Sequence, residues 1–435
     1  MSSKKTVEAP ASALALTPIV LFLSLFIGVG SYLHWQGVEF AFYQLPAPIA
    51  IIPAVVLALI LSKDKLNHSI EQLVGGMANH NIITMCLIYL LAGAFSSVAK
   101  ASGGAEAVVA LALNGVPSWF LLPGIFIVSG LIATAMGTSM GTIAAVAPIA
   151  LGIAQAANID PVYMAGAVLG GAMFGDNLSI ISDTTIAATR TQGCAMKDKF
   201  KQNLGIALPA AFITIVLLFV ANDSAPIEPL TIEQPLSALP YLVILLMAVV
   251  GVNVFVVLFS GIILAGVTAM LSSEYSALSF ANDIYAGFTG MQEIFLLSLF
   301  IGGLSALMRH QGGLSFIQQR VNSWVNQANY KSFTAQIGIA LITALSNLAV
   351  ANNTVAILLA GDLTKQLAQE NAISAARSAS IMDIFACVIQ GLIPYGAQAL
   401  LLGSLFALSP LMVVSSAWYP MVLAVVALVM MLKRK

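Results

Sequence analysis

Long apolar runs separated by short polar breaks extend along the chain from residue 14 to residue 431. A helix that spans a bilayer needs about 20 mostly apolar residues. The pattern predicts uninterrupted apolar helices at residues 14–33, 45–62, 82–100, 204–220, 239–250, 252–271, 291–308 and 411–431. Four other apolar stretches contain glycine, proline or polar clusters, and they cover residues 117–157, a segment from Pro161, 333–367 and 378–407. The sequence therefore predicts an all-α polytopic membrane protein, because a β-barrel would show short alternating segments instead.

Composition narrows the class of protein further. The chain has 435 residues, of which 59% are hydrophobic and only 8% charged, and its mean hydropathy is +0.96. These values exclude a soluble globular protein. A net charge of −1 also lacks the excess of positive charge that is typical of proteins that bind nucleic acid. The three cysteines are scattered, so neither a disulfide framework nor a cysteine metal site is expected. The first apolar run is long enough to span, so it predicts a retained helix rather than a cleaved signal peptide.

The two halves of the chain repeat each other. Residues 92–104 align without gaps on residues 301–313, and the broken apolar stretches follow in the same order. Five positions carry the alignment: Gly93, Ser96, Gly103, Gly104 and Lys100 correspond to Gly302, Ser305, Gly312, Gly313 and Arg309. We therefore divide the chain into a first repeat at 1–221, an external linker at 222–237 and a second repeat at 238–435.

Charge predicts how these repeats cross the membrane. If residues 117–157 and 333–367 are re-entrant hairpins, each repeat has five transmembrane helices, one hairpin and a broken helix. Five is odd, so the repeats have inverted topology. With both termini cytoplasmic, 16 of the 17 Lys and Arg residues lie inside, including those of a basic connector at 190–201, and only Lys100 lies outside. The acidic loops expected at 222–235 and 272–290 lie outside. Inverted repeats with interrupted helices are typical of secondary transporters.

The strongest chemical signal is the polar run at residues 175–185, which contains two carboxylates, one amide and four hydroxyls. An isolated charge at bilayer depth costs about 2.5–3.5 kcal/mol or more. In a continuous helix Asp176 and Asp183 would share one face about 10 Å apart. Unwinding between them would free carbonyl oxygens, and hard oxygen ligands suit Na+. The predicted cation and proton site comprises Asp176, Asp183, Asp383, Asn177, Ser179, Ser182 and Thr184, with Asp176 and Asp183 as Na+ ligands. The alternative is that both aspartates only cap half-helices.

Other breaks supply the predicted lining of the site. Its members carry hydroxyl or amide groups close to glycine or proline in apolar stretches: Thr138, Ser139, Asn352, Asn353, Thr354, Gln390, Tyr395 and Gln398. Asp383 is expected to lie across from the 175–185 run, or alternatively to make a simple interhelical hydrogen bond. No Lys or Arg is expected in a core helix, so an anionic substrate would depend on helix N-termini and Na+.

Three runs resemble the NhaC-type Na+/H+ antiporters: Gly137-Thr138-Ser139, GAMFGDNLSIISDTT at 171–185 and DIFACVIQGLIPYGAQ at 383–398. Relatives often have His or Ser after the first aspartate of the second run, where this chain has Asn177-Leu178. The resemblance implies a fold of inverted repeats with re-entrant hairpins in the bacterial inner membrane. It also implies Na+/H+ exchange, and some family members exchange these ions against malate, lactate or drugs.

The leading hypothesis is therefore a secondary antiporter in which Na+ and H+ compete for Asp176, Asp183 and Asp383. An exchanger of a small organic solute on the same fold is the second hypothesis. An intramembrane aspartyl protease is a weaker alternative, because the Gly-x-Gly-Asp motif of that class is missing before Asp176. A channel is less consistent with carboxylates at broken helices. The expected partners are Na+, H+, membrane lipid and a possible homodimer mate, with no cofactor beyond the transported or coupling Na+.

Overall fold

The computed structural model describes residues 10–38, 41, 44–102, 104–221, 235–272, 275–327 and 331–433, and their regular structure is helical. The helices of the first half are α1 (Thr17–Trp35), α2 (Ala47–Ala50), α3 (Ile52–Leu61), α4 (Leu66–Met77), α5 (His80–Ala101), α6 (Gly104–Gly115), α7 (Leu121–Met136), α8 (Ser139–Ala156), α9 (Pro161–Leu178), α10 (Asp183–Gln192) and α11 (Met196–Val220). Those of the second half are α12 (Leu239–Val249), α13 (Val254–Ser272), α14 (Ala277–Gly290), α15 (Gln292–His310), α16 (Gly313–Asn326), α17 (Lys331–Val350), α18 (Asn353–Glu370), α19 (Ala375–Leu392), α20 (Ala397–Phe406), α21 (Pro410–Ser415) and α22 (Trp418–Lys433).

Among the described residues, ten helical segments are long and apolar enough to cross a membrane by length and composition. The chain is thus a multi-pass helical membrane protein. These ten are not the ten predicted spans, since they include both arms of the first expected hairpin (118–136 and 139–156) and one arm of the second (332–350). Three predicted spans form shorter apolar helices instead: Ala47–Leu61, Leu239–Val249 and Trp418–Leu432.

The helix breaks lie where glycine, proline and polar residues predicted them. Gly137 separates α7 from α8 and has φ 68°, a left-handed conformation that costs glycine little. Ala351, with φ 51°, separates α17 from α18. Pro394 lies between α19 and α20, where its ring and missing N–H end the helix. Residues 179–182 separate α9 from α10 within the polar run.

The interhelical connections differ from the prediction in three places. The expected polar connector at 63–81 contains α4, and the expected loop at 272–290 contains α14. The expected basic connector at 190–201 is mostly helical, because α10 continues to Gln192 and α11 begins at Met196. Both missed helices pack by close glycine contact, which hydropathy does not reveal: a Cβ at Gly76 would lie 2.5 Å from Gly302 O, and one at Gly287 would lie 2.4 Å from Gly93 O. Residues 222–234 of the expected external loop lie outside the described residues.

Equivalent helices recur at a fixed spacing in the two halves. The helices α8, α9 and α10 have 18, 18 and 10 residues, and α18, α19 and α20 repeat those lengths 214 residues later. The left-handed residues Gly137, Asn158 and Gly193 recur with the same spacing as Ala351, Ala372 and Ala407. Helices α5 and α15 touch at positions 209 residues apart, where Ser298 Oγ donates to Tyr89 Oη at 3.3 Å. That is also the spacing of the sequence repeat, so equivalent positions meet where the two halves join.

Close packing of α7 on α9 sets the position of the polar run. A Cβ added at Gly171 would lie 2.3 Å from Phe126 O, and one at Gly175 would lie 2.3 Å from Gly130 O. Only residues without a side chain allow backbones to approach so closely. The end of α9 is thereby held beside the end of α7, so that Asp176 faces the first residue of α8.

Candidate functional site

A cavity of about 80 Å³, which we call the central cavity, lies where the four helix breaks meet. One wall is part of α5, and the remaining lining comes from the breaks between α7 and α8, α9 and α10, α17 and α18, and α19 and α20. Its lining includes ten residues of the predicted site: Thr138, Ser139, Asp176, Asp183, Thr184, Asn352, Asn353, Thr354, Gln390 and Gln398. The breaks that the sequence predicted separately therefore come together at one polar cavity.

Asp176 is the buried carboxylate of the central cavity. Its residue is only 5% exposed, and Ser139 Oγ donates to Asp176 Oδ2 at 3.3 Å. Asp176 lies in the last turn of α9, which ends at Leu178. The C-terminal end of a helix carries partial negative charge, so it disfavours a carboxylate and favours a cation. Asp176 is consequently not a helix cap. A bound cation or a proton would stabilise its carboxylate at this position.

Asp183 has a different environment, although it lines the same cavity. It is exposed and lies in the first turn of α10, where the positive end of the helix dipole favours its charge. Ser182 is the N-cap residue of α10 and accepts a hydrogen bond from the Thr185 backbone N–H. The helix-terminus alternative therefore describes Asp183 well. The two aspartates, equivalent in the sequence pattern, differ in burial and in local field.

Amides of the second half extend the polar lining. Gln398 Nε2 donates to Ser139 Oγ at 3.1 Å, and Gln390 Nε2 donates to Gln398 Oε1 at 2.8 Å. Gln390 lies 214 residues after Asp176, so a neutral amide occupies the place of the carboxylate in the second half. Its Oε1 accepts no hydrogen bond from the described residues and is available as a ligand. The cavity is therefore charged on one side and polar but neutral on the other.

Asp383 does not line the central cavity, and a buried lysine pairs with it. Lys199 Nζ lies 2.7 Å from Asp383 Oδ2, and the two side chains are 0% and 1% exposed. Asn203 Nδ2 donates to the same oxygen at 2.7 Å, and Asn177 Nδ2 donates at 3.4 Å. The expectation that no Lys or Arg lies in a core helix is wrong. Lys199, Asn203 and Ile206 share one face of α11, a helical spacing that the interpretation as a basic connector concealed.

The buried pair is the centre of a hydrogen-bond network behind the cavity. Lys199 Nζ also donates to Thr185 Oγ1 at 2.6 Å, and Tyr419 Oη donates to Asn177 Oδ1 at 3.1 Å. Asn203 Nδ2 donates to Asn177 O at 2.8 Å, so a carbonyl at the end of α9 is already occupied. The network links the α9–α10 break to α11, α19 and α22.

Four further predicted residues lie outside the cavity lining. Asn177 faces the buried pair, as described above. Thr185 Oγ1 donates to Ser179 O at 2.8 Å, and Ser182 Oγ shares a 2.7 Å hydrogen bond with Thr184 Oγ1. Tyr395 Oη donates to Leu348 O at 2.6 Å. The Ser182 hydroxyl also hydrogen-bonds to Asp176, so it supports the carboxylate of the cavity from the α9–α10 break.

A second cavity of about 290 Å³, which we call the side cavity, adjoins the central one. Asn352 lines both cavities. The lining of the side cavity comes from α4, with Gln72 and Gly76, from α15, with Ser305 and Arg309, and from parts of α5 and α18. The side cavity therefore lies beside the central cavity, where helices of both halves meet.

Interrupted helices that converge on a buried carboxylate at the junction of two matched halves define the architecture of a secondary transporter. The model of the Na+/H+ antiporter family matches residues 4–222, and the chain belongs to that family.

Two curated relatives and one solved structure are similar to this chain. The chain is 30% identical over 271 residues to the Na+/H+ antiporter NhaC of Bacillus subtilis (strain 168), covering 57% of this chain and 58% of the relative. It is 29% identical over 184 residues to the malate-2H+/Na+-lactate antiporter of the same organism, covering 42% and 39%. The matches thus span less than two thirds of either relative. The crystal structure of the Alcanivorax borkumensis YdaH transporter aligns over 97% of this chain and 98% of its own, with a TM-score of 0.44 and 15% identity.

Proposed function

We propose that the protein is a secondary antiporter that exchanges Na+ for H+ across the bacterial inner membrane. The observation that carries this proposal is the size and chemistry of the central cavity. Its volume of about 80 Å³ is well below the roughly 300–1,000 Å³ of pockets for organic ligands. A cavity of that size suits an ion with a few water molecules, each of which takes about 30 Å³ in the liquid. Carboxylate, hydroxyl and amide oxygens line it, and such hard ligands suit Na+.

Competition between the two ions at Asp176 supplies the exchange mechanism. Desolvation disfavours the charged form of a carboxylate, whereas a bound cation favours it. Asp176 therefore takes either a proton or Na+, and movement of one half against the other exposes it to each side in turn. The Lys199–Asp383 pair is neutral as a unit, so Asp383 does not compete for the transported ions. Asp183, at the exposed edge of the cavity, attracts cations toward Asp176.

Sodium-dependent loss of a pH gradient in everted membrane vesicles tests the function. Addition of Na+ to vesicles with an acidic interior is expected to release protons, because Na+ that enters through the transporter is exchanged for protons that leave. The control is vesicles from cells without the protein. A pH gradient that persists after Na+ addition, with the protein present in the membrane, would contradict the proposal.

We further propose that the two halves lie in inverted orientation, each with five spans and a re-entrant hairpin. Matched helix lengths, the contact between equivalent positions of α5 and α15, and the distribution of basic residues support this arrangement. Lys100 lies in the last turn of α5 and Arg309 lies in the last turn of α15, and both side chains are exposed. Inverted halves place these two equivalent residues on opposite sides of the membrane.

Cysteine labelling tests the inverted orientation. In a background with Cys86, Cys194 and Cys387 replaced by Ser, a membrane-impermeant maleimide is expected to label Lys100→Cys only in right-side-out vesicles. The same reagent is expected to label Arg309→Cys only in everted vesicles. Labelling of both variants from the same side would show that the halves are parallel.

Exchange of a small organic acid is the second candidate function. The side cavity, at about 290 Å³, approaches the size of an organic-ligand pocket, and Arg309 on its wall is a carboxylate-binding group. A curated relative is named for malate and lactate as well as for Na+ and H+. Proton release that requires malate or lactate in addition to Na+ would favour this candidate over simple ion exchange.

A further inference from the structure

Two histidines and an aspartate meet outside the central and side cavities, and two of them, Asp64 and His310, line a third cavity of about 400 Å³. Asp64 lies in the link between α3 and α4, His68 in the first turn of α4, and His310 is the last residue of α15. One candidate ligand atom from each residue lies within 4.8 Å of the other two. His310 Nε2 is 2.7 Å from Asp64 Oδ2, and the rings of His68 and His310 meet edge-on with centroids 5.7 Å apart.

We propose that Asp64, His68 and His310 form a site for a first-row divalent metal ion, with Zn2+ as its representative. Imidazole nitrogen and carboxylate oxygen are ordinary Zn2+ ligands at about 2.0–2.2 Å, and three protein ligands with one water make a tetrahedral site. Ligands at that distance lie roughly 3.3 Å apart, since the angles are tetrahedral. The side chains of His68, His310 and Asp64 are 48%, 42% and 39% exposed, so small rotations can bring them to that spacing.

Nearby charges are compatible with a cation at this position. Glu71 Oε2 lies 3.6 Å from His68 Nδ1, so a second carboxylate is next to the cluster. Lys63, Lys65 and Arg309 adjoin the three ligands in sequence and oppose that negative charge. Imidazole donors provide affinity for Zn2+, Ni2+ or Cu2+ in such mixed surroundings, whereas Ca2+ and Mg2+ prefer sites made of oxygen alone.

A metal here would tie the segment between α3 and α4 to the end of α15. Asp64 lies in that segment, His68 at the start of α4 and His310 at the end of α15. The helices α4 and α15 already pack closely at Gly76 and Gly302. A bound ion would extend this contact between the two halves to the α3–α4 segment. Metal binding itself does not depend on the proposed Na+/H+ exchange.

Metal titration of the purified full-length protein, without a polyhistidine tag, tests the site. Competition with a coloured chelator is expected to show one Zn2+ per chain in the native protein. His68→Gln and His310→Gln are each expected to weaken binding by about tenfold or more, because loss of even an outer partner costs roughly 10–100-fold. His80→Gln is the matched control, since His80 is also exposed but lies outside the cluster. Native protein that binds no Zn2+, or equal binding by His68→Gln and native protein, would overturn the proposal.

Limited trypsin digestion tests the link between the α3–α4 segment and α15 separately. Lys63 and Lys65 are exposed in the segment between α3 and α4. Zn2+ is expected to slow cleavage at these lysines in the native protein and in His80→Gln, but not in His310→Gln. Cleavage at the same rate with and without Zn2+ in the native protein would overturn the tie between the α3–α4 segment and α15. Neither assay measures transport, so failure here is distinguishable from failure of the antiport proposal.

Discussion

Replacement of Asp176 by Asn is expected to lower Na+-dependent proton exchange by about 100-fold or more, equivalent to ~2.7 kcal/mol. Asn has nearly the same shape as Asp and can retain the contact with Ser139 Oγ, so packing is preserved. It cannot carry a proton or a negative charge at the end of α9, so neither transported ion has its ligand. Rates from everted vesicles, normalised to the amount of protein in the membrane, measure the effect.

Asp160→Asn is the matched control for this variant because it removes the same charge from the same helix. Asp160 is exposed and caps the N-terminus of α9 by accepting a 2.8 Å hydrogen bond from the Val162 backbone N–H. Asn is about as good an N-cap as Asp, so the helix should be retained. Transport by Asp160→Asn is expected to remain close to the native rate. Equal losses in the two variants would mean that charge on α9, rather than the site at Asp176, governs exchange.

Breaking the buried Lys199–Asp383 pair is expected to have the largest effect on stability. Lys199→Met leaves the Asp383 carboxylate without its cation in a site that is 1% exposed. Removal of one partner of a buried ion pair typically costs about 3–5 kcal/mol, whereas replacement of both is often nearly neutral. The double variant Lys199→Met/Asp383→Asn is therefore expected to recover much of the stability that Lys199→Met loses. Thermal unfolding of the purified variants in detergent measures both changes.

The same double variant distinguishes two roles for Asp383. The sequence suggested that Asp383 binds the transported ions, whereas its position behind the cavity suggests a structural pair with Lys199. If the pair is structural, the double variant keeps Na+/H+ exchange, while Lys201→Met, an exposed change on the same helix, alters neither stability nor exchange. A stable but inactive double variant would return Asp383 to the ion site. If the double variant lost as much stability as Lys199→Met and Asp383→Asn lose together, the two side chains would not be coupled.

The helix breaks were predictable because their cause is local. Pro394 ends a helix through its ring and its missing N–H, and Gly137 permits a left-handed turn at little cost, so both effects come from the residue itself. The helices α4 and α14 were not predictable in the same way. Each is held against a helix of the other half by glycines such as Gly76 and Gly287, so its stability comes from a distant contact. From hydropathy alone, the polar residues of α4 and α14 are assigned to loops.

The sequence could not predict which residues near the α9–α10 break face the cavity. In a continuous helix the spacing of seven residues would have given Asp176 and Asp183 equal environments. The unwound residues 179–182 remove that phase relation, so Asp176 is buried and Asp183 is exposed. Asn177 adjoins Asp176 but faces Asp383, because consecutive residues of a helix point about 100° apart. Lys199 was missed because its partner is distant in sequence and its neighbours Lys197 and Lys201 are exposed.

The central claim, exchange of Na+ for H+ at Asp176, is tested most directly with purified protein in liposomes. An acidic interior is imposed, and uptake of radioactive Na+ is followed with and without a protonophore. Native protein and Asp160→Asn are expected to accumulate Na+ only while the pH gradient lasts, and Asp176→Asn is expected to accumulate none above empty liposomes. Absence of Na+ uptake by the native protein under an intact gradient, or undiminished uptake by Asp176→Asn, would contradict the claim.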